Sequence, residues 1–278
     1  MKSILVPIED HGVIEPVLET AFLIGQRFGS YIEGLAITPD YPVVLPVDIA
    51  IGVPSPITPE NRQEMAKACH ERFHAFMARK GVAASTASLP GLSFGWRQDG
   101  LSEDAFMGAY GRVFDVTALG RPDGTNGHSR LSTVEAALFE TGRPVLIAPP
   151  IVPRTLGDTI VIAWNRSTET ARAVQGAMPL LTRASRVVVL ELENWGVPGP
   201  SATELARSLA MHDVPAEALM ASDPSNRPGE TILKECEALG CDLLVKGAYT
   251  QSRLRQMFFG GATSHILGNT TVPVLMAH

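Results

Sequence analysis

Short, continuously apolar runs alternate with amphipathic stretches along the whole chain. The clearest runs are Ser3-Ile-Leu-Val-Pro-Ile8 and Thr159-Ile-Val-Ile-Ala-Trp164, each followed by a polar turn, Glu9-Asp10 in one and Asn165-Arg-Ser167 in the other. Behind each turn the apolar positions take helical spacing. Ile14, Val17, Leu18, Ala21, Ile24 and Phe28 share one face, as do Ala171, Val174, Met178 and Leu181. Second strands are predicted from Tyr31 to Ile37 and from Arg186 to Leu192. The parallel continues to the ends of the two halves: Phe114-Asp-Val-Thr-Ala-Leu-Gly120 matches Cys241-Asp-Leu-Leu-Val-Lys-Gly247, and Arg143-Pro-Val-Leu-Ile-Ala148 matches Val272-Pro-Val-Leu-Met-Ala277.

Apolar strands separated by helices predict an α/β protein with parallel sheets covered on both faces. The repetition predicts two tandem, doubly wound, Rossmann-like domains, 1–150 and 154–278, joined near Pro149-Pro-Ile-Val-Pro153. In such a sheet a ligand sits beyond the carboxyl ends of the strands, where Glu9, Asn165, Gly120 and Gly247 fall. Each half ends on an apolar strand that would invite aggregation if left as an edge. The two last strands, Val145 to Ala148 and Val274 to Ala277, are therefore expected to pack on each other about a pseudo-twofold axis, making an intramolecular pseudo-dimer. A homodimer of the whole chain stays open.

Composition narrows the function. The 278 residues are 45% hydrophobic and 19% charged, as in a folded protein, with a net charge of −6. No basic footprint for nucleic acid or an anionic membrane exists. The first apolar run is too short for a signal-peptide core and no stretch is long enough to span a bilayer, so a cytoplasmic location is expected. Three cysteines make no disulfide framework. Cys236 and Cys241 are read as small core hydrophobes, not as metal or redox groups.

The last forty residues carry the candidate chemistry. Gly247 ends a predicted strand, and Gly260-Gly261 precedes a predicted helix, so main-chain N–H groups are free to converge on an anion there. The same glycines are also compatible with a loop hinge. Neither G-x-x-x-x-G-K-[ST] nor G-x-G-x-x-G occurs. The matching segment of the first half is two residues shorter and places Leu131 where the second half has Gly260; a side chain there blocks a phosphate, so binding is expected in the second half alone. The insert from Asp40 to Pro59 is too proline-rich for a central strand and is read as a covering loop or a partner surface.

Two motifs point elsewhere. His70-Glu-Arg-Phe-His74 fits the zincin pattern H-E-x-x-H, on a helix predicted from Pro59 to Arg79. Its core stripe is Met65, Cys69, Phe73 and Phe76, and at about 100° per residue both histidines turn toward solvent, where no closed coordination shell forms. Gly91-Leu-Ser93-Phe-Gly95 fits G-x-S-x-G but lacks the strand before and the helix after that a nucleophile elbow needs. It is read as the start of a strand.

Taken together, these residues resemble the universal stress protein family in its tandem form. Nucleotide-binding members carry G-x2-G-x9-G-[ST]; Gly247, Thr250, Gly260 and Gly261 keep that spacing, with Thr250 in place of the second glycine, Gly261 in place of the hydroxyl residue, and Thr263 where a further Ser or Thr often stands. The resemblance implies an adenine nucleotide alpha hydrolase-like fold and a site for ATP or another adenine nucleotide, with or without Mg. It also implies a ribose contact at Asn165, to which Glu9 corresponds in the first half. Ala163, Lys246, Ala248, Tyr249 and Ala262 would line the pocket largely through main chain. The implied function is a nucleotide-dependent regulatory module with protein partners. Its alternatives are a nucleotide-free interaction scaffold and a weak ATPase or related hydrolase. A phosphoryl-transfer enzyme needs a metal-binding acid, a cationic clamp and a base; near the cradle stand only Lys246, Arg253 and Arg255, with no acid in the loop, so hydrolysis or autophosphorylation is expected to be slow at most.

Overall fold

The apolar runs do become strands, and burial follows them closely. A computed structural model describes residues 1–9, 14–37, 59–85, 91–97, 103–122, 129–248 and 261–278. In the first half, β1 (Ser3–Ile8) leads to α1 (Ile14–Phe28), β2 (Tyr31–Ala36), α2 (Pro59–Arg79), the short β3 (Ala83–Ala84) and β4 (Ser93–Trp96). After these come α3 (Asp104–Tyr110), β5 (Val116–Gly120), α4 (Leu131–Glu140) and β6 (Val145–Ala148). The second half runs β7 (Thr159–Ala163), α5 (Thr168–Leu181), β8 (Arg186–Leu192), α6 (Ala202–Ala210), β9 (Ala216–Ala221), α7 (Pro228–Ala238), β10 (Leu243–Gly247), α8 (Gly261–Asn269) and β11 (Val274–Ala277).

All strands join one sheet in the order β3-β4-β2-β1-β5-β6-β11-β10-β7-β8-β9. Every pairing within a half is parallel; β6 and β11 pair antiparallel, with Leu146 opposite Leu275. The expected pseudo-twofold seam through the last strands is therefore present. Two apolar layers cover the sheet. One holds the buried faces of α1, α2, α5 and α6, with Phe73, Ala173 and Leu209 among them; the other holds those of α3, α4, α7 and α8, with Met107, Val134, Ile232 and Ile266. Side-chain bonds add to the seam. Arg121 of the first half donates to the carbonyl of Gly268 at the end of α8, and the guanidinium of Arg27 reaches the Gly157 carbonyl and the Asp158 carboxylate.

Helix α2 has the range its pattern predicts, but its histidines are only partly exposed. His70 and His74 stack with ring centroids 4.0 Å apart; His70 lies against Trp96 and His74 against Phe94, both on β4. The helical wheel places them away from the core stripe, and aromatic side chains from the sheet reach round to cover them. Burial and the neighbouring imidazole hold the His74 pKa below the usual histidine value. Among the described residues no group of three or more His, Cys, Asp or Glu is placed to hold a metal ion, and no helix is long and apolar enough to cross a membrane. Ser93 opens β4 and is buried, in keeping with a strand start. The insert between Asp40 and Pro59 lies outside the described residues up to 58.

Candidate functional site

In the second half the strand order reverses between β7 and β10: α5 leaves β7 toward one face, and α8 follows β10 on the other. The crevice at such a switch point is where doubly wound sheets take ligands. Ala163 ends β7, buried and paired with Leu190 of β8. Next, Asn165, Arg166 and Ser167 turn the chain into α5. Arg166 takes a left-handed φ of 65°, and Ser167 caps the helix by accepting from the Thr170 N–H at 3.2 Å. The Asn165 side-chain oxygen accepts from the Ser167 hydroxyl at 2.8 Å and from the Thr170 hydroxyl. It is thus committed to the first turn of α5.

Gly247 stands at the end of β10, and its lack of a side chain serves packing. A Cβ there would come within 2.5 Å of the Thr170 nitrogen, so the α5 backbone occupies the space. Gly261 differs: it opens α8, is exposed, and among the described residues no atom lies within 4 Å of the position its Cβ would take. Ala262 follows it, half-buried, and Thr263 is buried in the same first turn. Tyr249, Thr250 and Gly260 lie outside the described residues.

Sequence reasoning places Lys246 among the cations near the cradle and in the pocket wall, but does not foresee that its side chain is buried. It points to the face of the sheet opposite Gly247's α5 contact, and only 3% of the residue is exposed. Its Nζ donates to the Gly247 carbonyl at 2.6 Å and to the Thr263 hydroxyl at 2.9 Å. Among the described residues no carboxylate pairs with it. Burial without a counter-charge lowers its pKa to about 7. A lysine inside the apolar run Leu243-Leu-Val245 is the signal that could have marked it.

The first half fills the equivalent place with its own side chains. Glu9, 7% exposed, directs its carboxylate at the start of α4. It accepts from the Arg130 backbone N–H at 3.2 Å, from the Arg130 guanidinium at 2.6 Å and from the Thr133 hydroxyl at 3.0 Å. Asp104 accepts from the same guanidinium at 3.0 Å and the same hydroxyl at 2.8 Å. A carboxylate at a helix N-terminus meets unsatisfied N–H groups and the positive end of the dipole, as a phosphate would. The helices α4 and α8 are in register at their far ends: the Thr141 and Thr270 hydroxyls each accept from the N–H two residues on, in Arg143 and Val272. Counting back from these threonines sets Leu131 against Gly260.

One further buried acid was not foreseen. Glu191, within β8 and fully buried, pairs with Arg166 and accepts from the Ala202 N–H at the start of α6. It ties the Asn165–Ser167 turn to that helix. Gly196, with φ of 130°, lets the segment after β8 lie on the same turn, where a Cβ would meet the Asn165 carbonyl oxygen at 2.8 Å.

Sheet order, helix layers and switch point define a tandem pair of doubly wound α/β units. Residues 157–278 match the Universal stress protein family. Over the whole length the fold is similar to that of a universal stress protein from Archaeoglobus fulgidus DSM 4304, with a TM-score of 0.72 at 14% identity, covering 99% of this chain and 95% of that one. A functionally unknown protein from Pseudomonas aeruginosa PAO1 aligns with a TM-score of 0.53 at 14% identity, over 99% of this chain and 92% of the other. No curated protein matches the sequence.

Proposed function

We propose that the second half binds ATP or another adenine nucleotide and that the protein is a cytoplasmic stress-response module whose occupancy selects partners. One observation carries this reading: of two equivalent helix starts, that of α4 is met by Glu9, whereas α8 opens on the bare backbone of Gly261 beside a buried lysine that has no carboxylate partner among the described residues. The match of residues 157–278 to the Universal stress protein family supports it. The assigned role is binding and not rapid turnover. Gentle purification followed by heat release and chromatography tests it, with one nucleotide per chain expected. Calorimetry with Gly260→Leu, which imitates Leu131, should show affinity falling roughly tenfold to a hundredfold for each charge-assisted hydrogen bond lost. Unchanged affinity would make the segment a hinge.

A second reading, a nucleotide-free interaction scaffold, is favoured by the Asn165 side-chain oxygen, which is already engaged by Ser167 and Thr170. Absence of co-purified nucleotide together with no calorimetric response to ATP would favour it.

A further inference from the structure

Lys246 is not needed by the fold. Register places Leu119 of β5 at the equivalent position, since Leu119 pairs with Ile147 as Lys246 pairs with Met276, and Gly120 and Gly247 follow in step. The threonine register places Val134 of α4 where Thr263 stands in α8. Leu119 and Val134 are buried members of one apolar layer. The first half therefore closes the same strand and helix with two hydrocarbon side chains, and the second half puts an amine and a hydroxyl in their place. A buried amine held only by neutral oxygens is costly, so this exchange weakens the fold and asks for another reason.

The geometry supplies one. The Nζ bridges the carbonyl at the end of β10 and the hydroxyl in the first turn of α8. An ammonium has three donors, and among the described residues two are used. An anion on the N–H groups opening α8 would lie within about one helical turn of it.

We propose that Lys246 supplies the counter-charge for a phosphoryl group seated at the N-terminus of α8, and that the amine takes up a proton as that group arrives. The inference rests on the nucleotide reading above and adds the charge state of the site to it. In the empty site burial favours the neutral amine; a bound polyphosphate favours the ammonium, so binding draws a proton from solvent and weakens as pH rises.

Among the described residues, the groups facing the amine do not supply that charge themselves. From α8 come Thr263 and Ile266, and from β11 comes Met276. From α7 and the approach to β10 come the thiols Cys236 and Cys241, while Glu230, Lys234 and Glu237 of α7 are exposed. His265 on α8 is half-buried, His278 after β11 contacts the Ala248 carbonyl, and Glu169 lies on α5, across the sheet.

Calorimetry at pH 8, where histidines and ATP are largely deprotonated, tests the coupling. ATP is titrated in two buffers of different ionisation enthalpy. The expected result is net proton uptake on binding, approaching one proton per ATP. Lys246→Met should abolish the uptake and lower affinity roughly tenfold to a hundredfold. ATP binding without proton uptake would overturn the proposal and leave nucleotide binding intact. If ATP fails to bind, the nucleotide reading falls, and inorganic tripolyphosphate decides the role of the amine: binding with uptake that Lys246→Met abolishes sustains it, and anything else overturns it.

Discussion

The two helix starts, α4 in the first half and α8 in the second, face the same problem and reach opposite chemical states. At α4 a buried carboxylate accepts from the Arg130 N–H that leads into the helix, and a guanidinium and a hydroxyl complete its shell. At α8 the buried ionisable group in contact with the first turn is an amine, which when protonated brings charge of the same sign as the helix end. One helix start meets a carboxylate; among the described residues the other does not. The difference shows that strand order and helix packing do not decide whether such a site is open. A few side chains at the strand ends do.

The comparison can be broken most forcefully at the two glycines that end β10 and β5. Gly247→Ala pushes a methyl group against the α5 backbone, with the Thr170 nitrogen 2.5 Å away. The expected loss is about 3 kcal/mol, measured as a shift in the urea midpoint. Gly120→Ala meets only the Ser129 hydroxyl at 2.9 Å and a Val17 methyl at 3.3 Å, side-chain ends that can give, and should cost about half as much. Equal losses would remove the contrast between the halves at this point.

Glu9→Ala should fall between these two glycine substitutions, at about 2–3 kcal/mol, because it leaves the half-buried Arg130 guanidinium with Asp104 alone. Denaturation measures the loss, and ATP binding by the second half should not change. Lys246→Met is expected to have the opposite sign and to raise stability by about 2 kcal/mol at pH 7, with the stranded Thr263 hydroxyl discounted. Its pH dependence gives a sharper test. The folded protein holds this amine near a pKa of about 7, so between there and the unfolded value of 10.5 the unfolded chain binds more protons. Stability of the unsubstituted protein should therefore rise with pH over that window, by up to about 1.4 kcal/mol per unit from this group, and the contribution should vanish in Lys246→Met. Thermal unfolding at pH 7, 8 and 9 distinguishes the two. The smallest effect is expected from Ser167→Ala, about 1 kcal/mol, as the helix cap of α5 is lost.

Much of this architecture is legible in the sequence, for a plain reason. Strands buried on both faces are apolar throughout, so β1, β7, β10 and β11 announce themselves, and the matching ends of the halves reveal the repeat. The seam follows from the same reasoning, since two apolar last strands need a partner. An edge strand is harder to see. Ala216–Ala221 is largely exposed, and its Ala-Glu-Ala-Leu-Met-Ala composition suits a helix as well as a strand. The stacking of His70 and His74 under β4 depends on side chains contributed by another element, which a helical wheel does not contain.

The site divides in the same way. Glycine spacing is a local property and can be counted, but the function of each glycine cannot: Gly247 makes room for α5, whereas among the described residues nothing packs where a Gly261 side chain would lie. The Glu9–Arg130 pair joins residues 121 positions apart, and no local pattern connects them. The charged residues within apolar strands, Lys246 and Glu191, are visible in the sequence as exceptions. What they pair with is decided by tertiary structure.

The antiparallel seam between β6 and β11 has a consequence for how such a chain could have specialised. Two separate copies meeting along that edge would depend on their concentration and would part on dilution. Carried on one chain, each copy meets the other at an effective concentration set by the tether, on the order of millimolar for a short flexible connection. Association then no longer competes with dilution, and the first copy can give up ligand recognition, seal its helix end with Glu9, and persist as a permanent companion to the second.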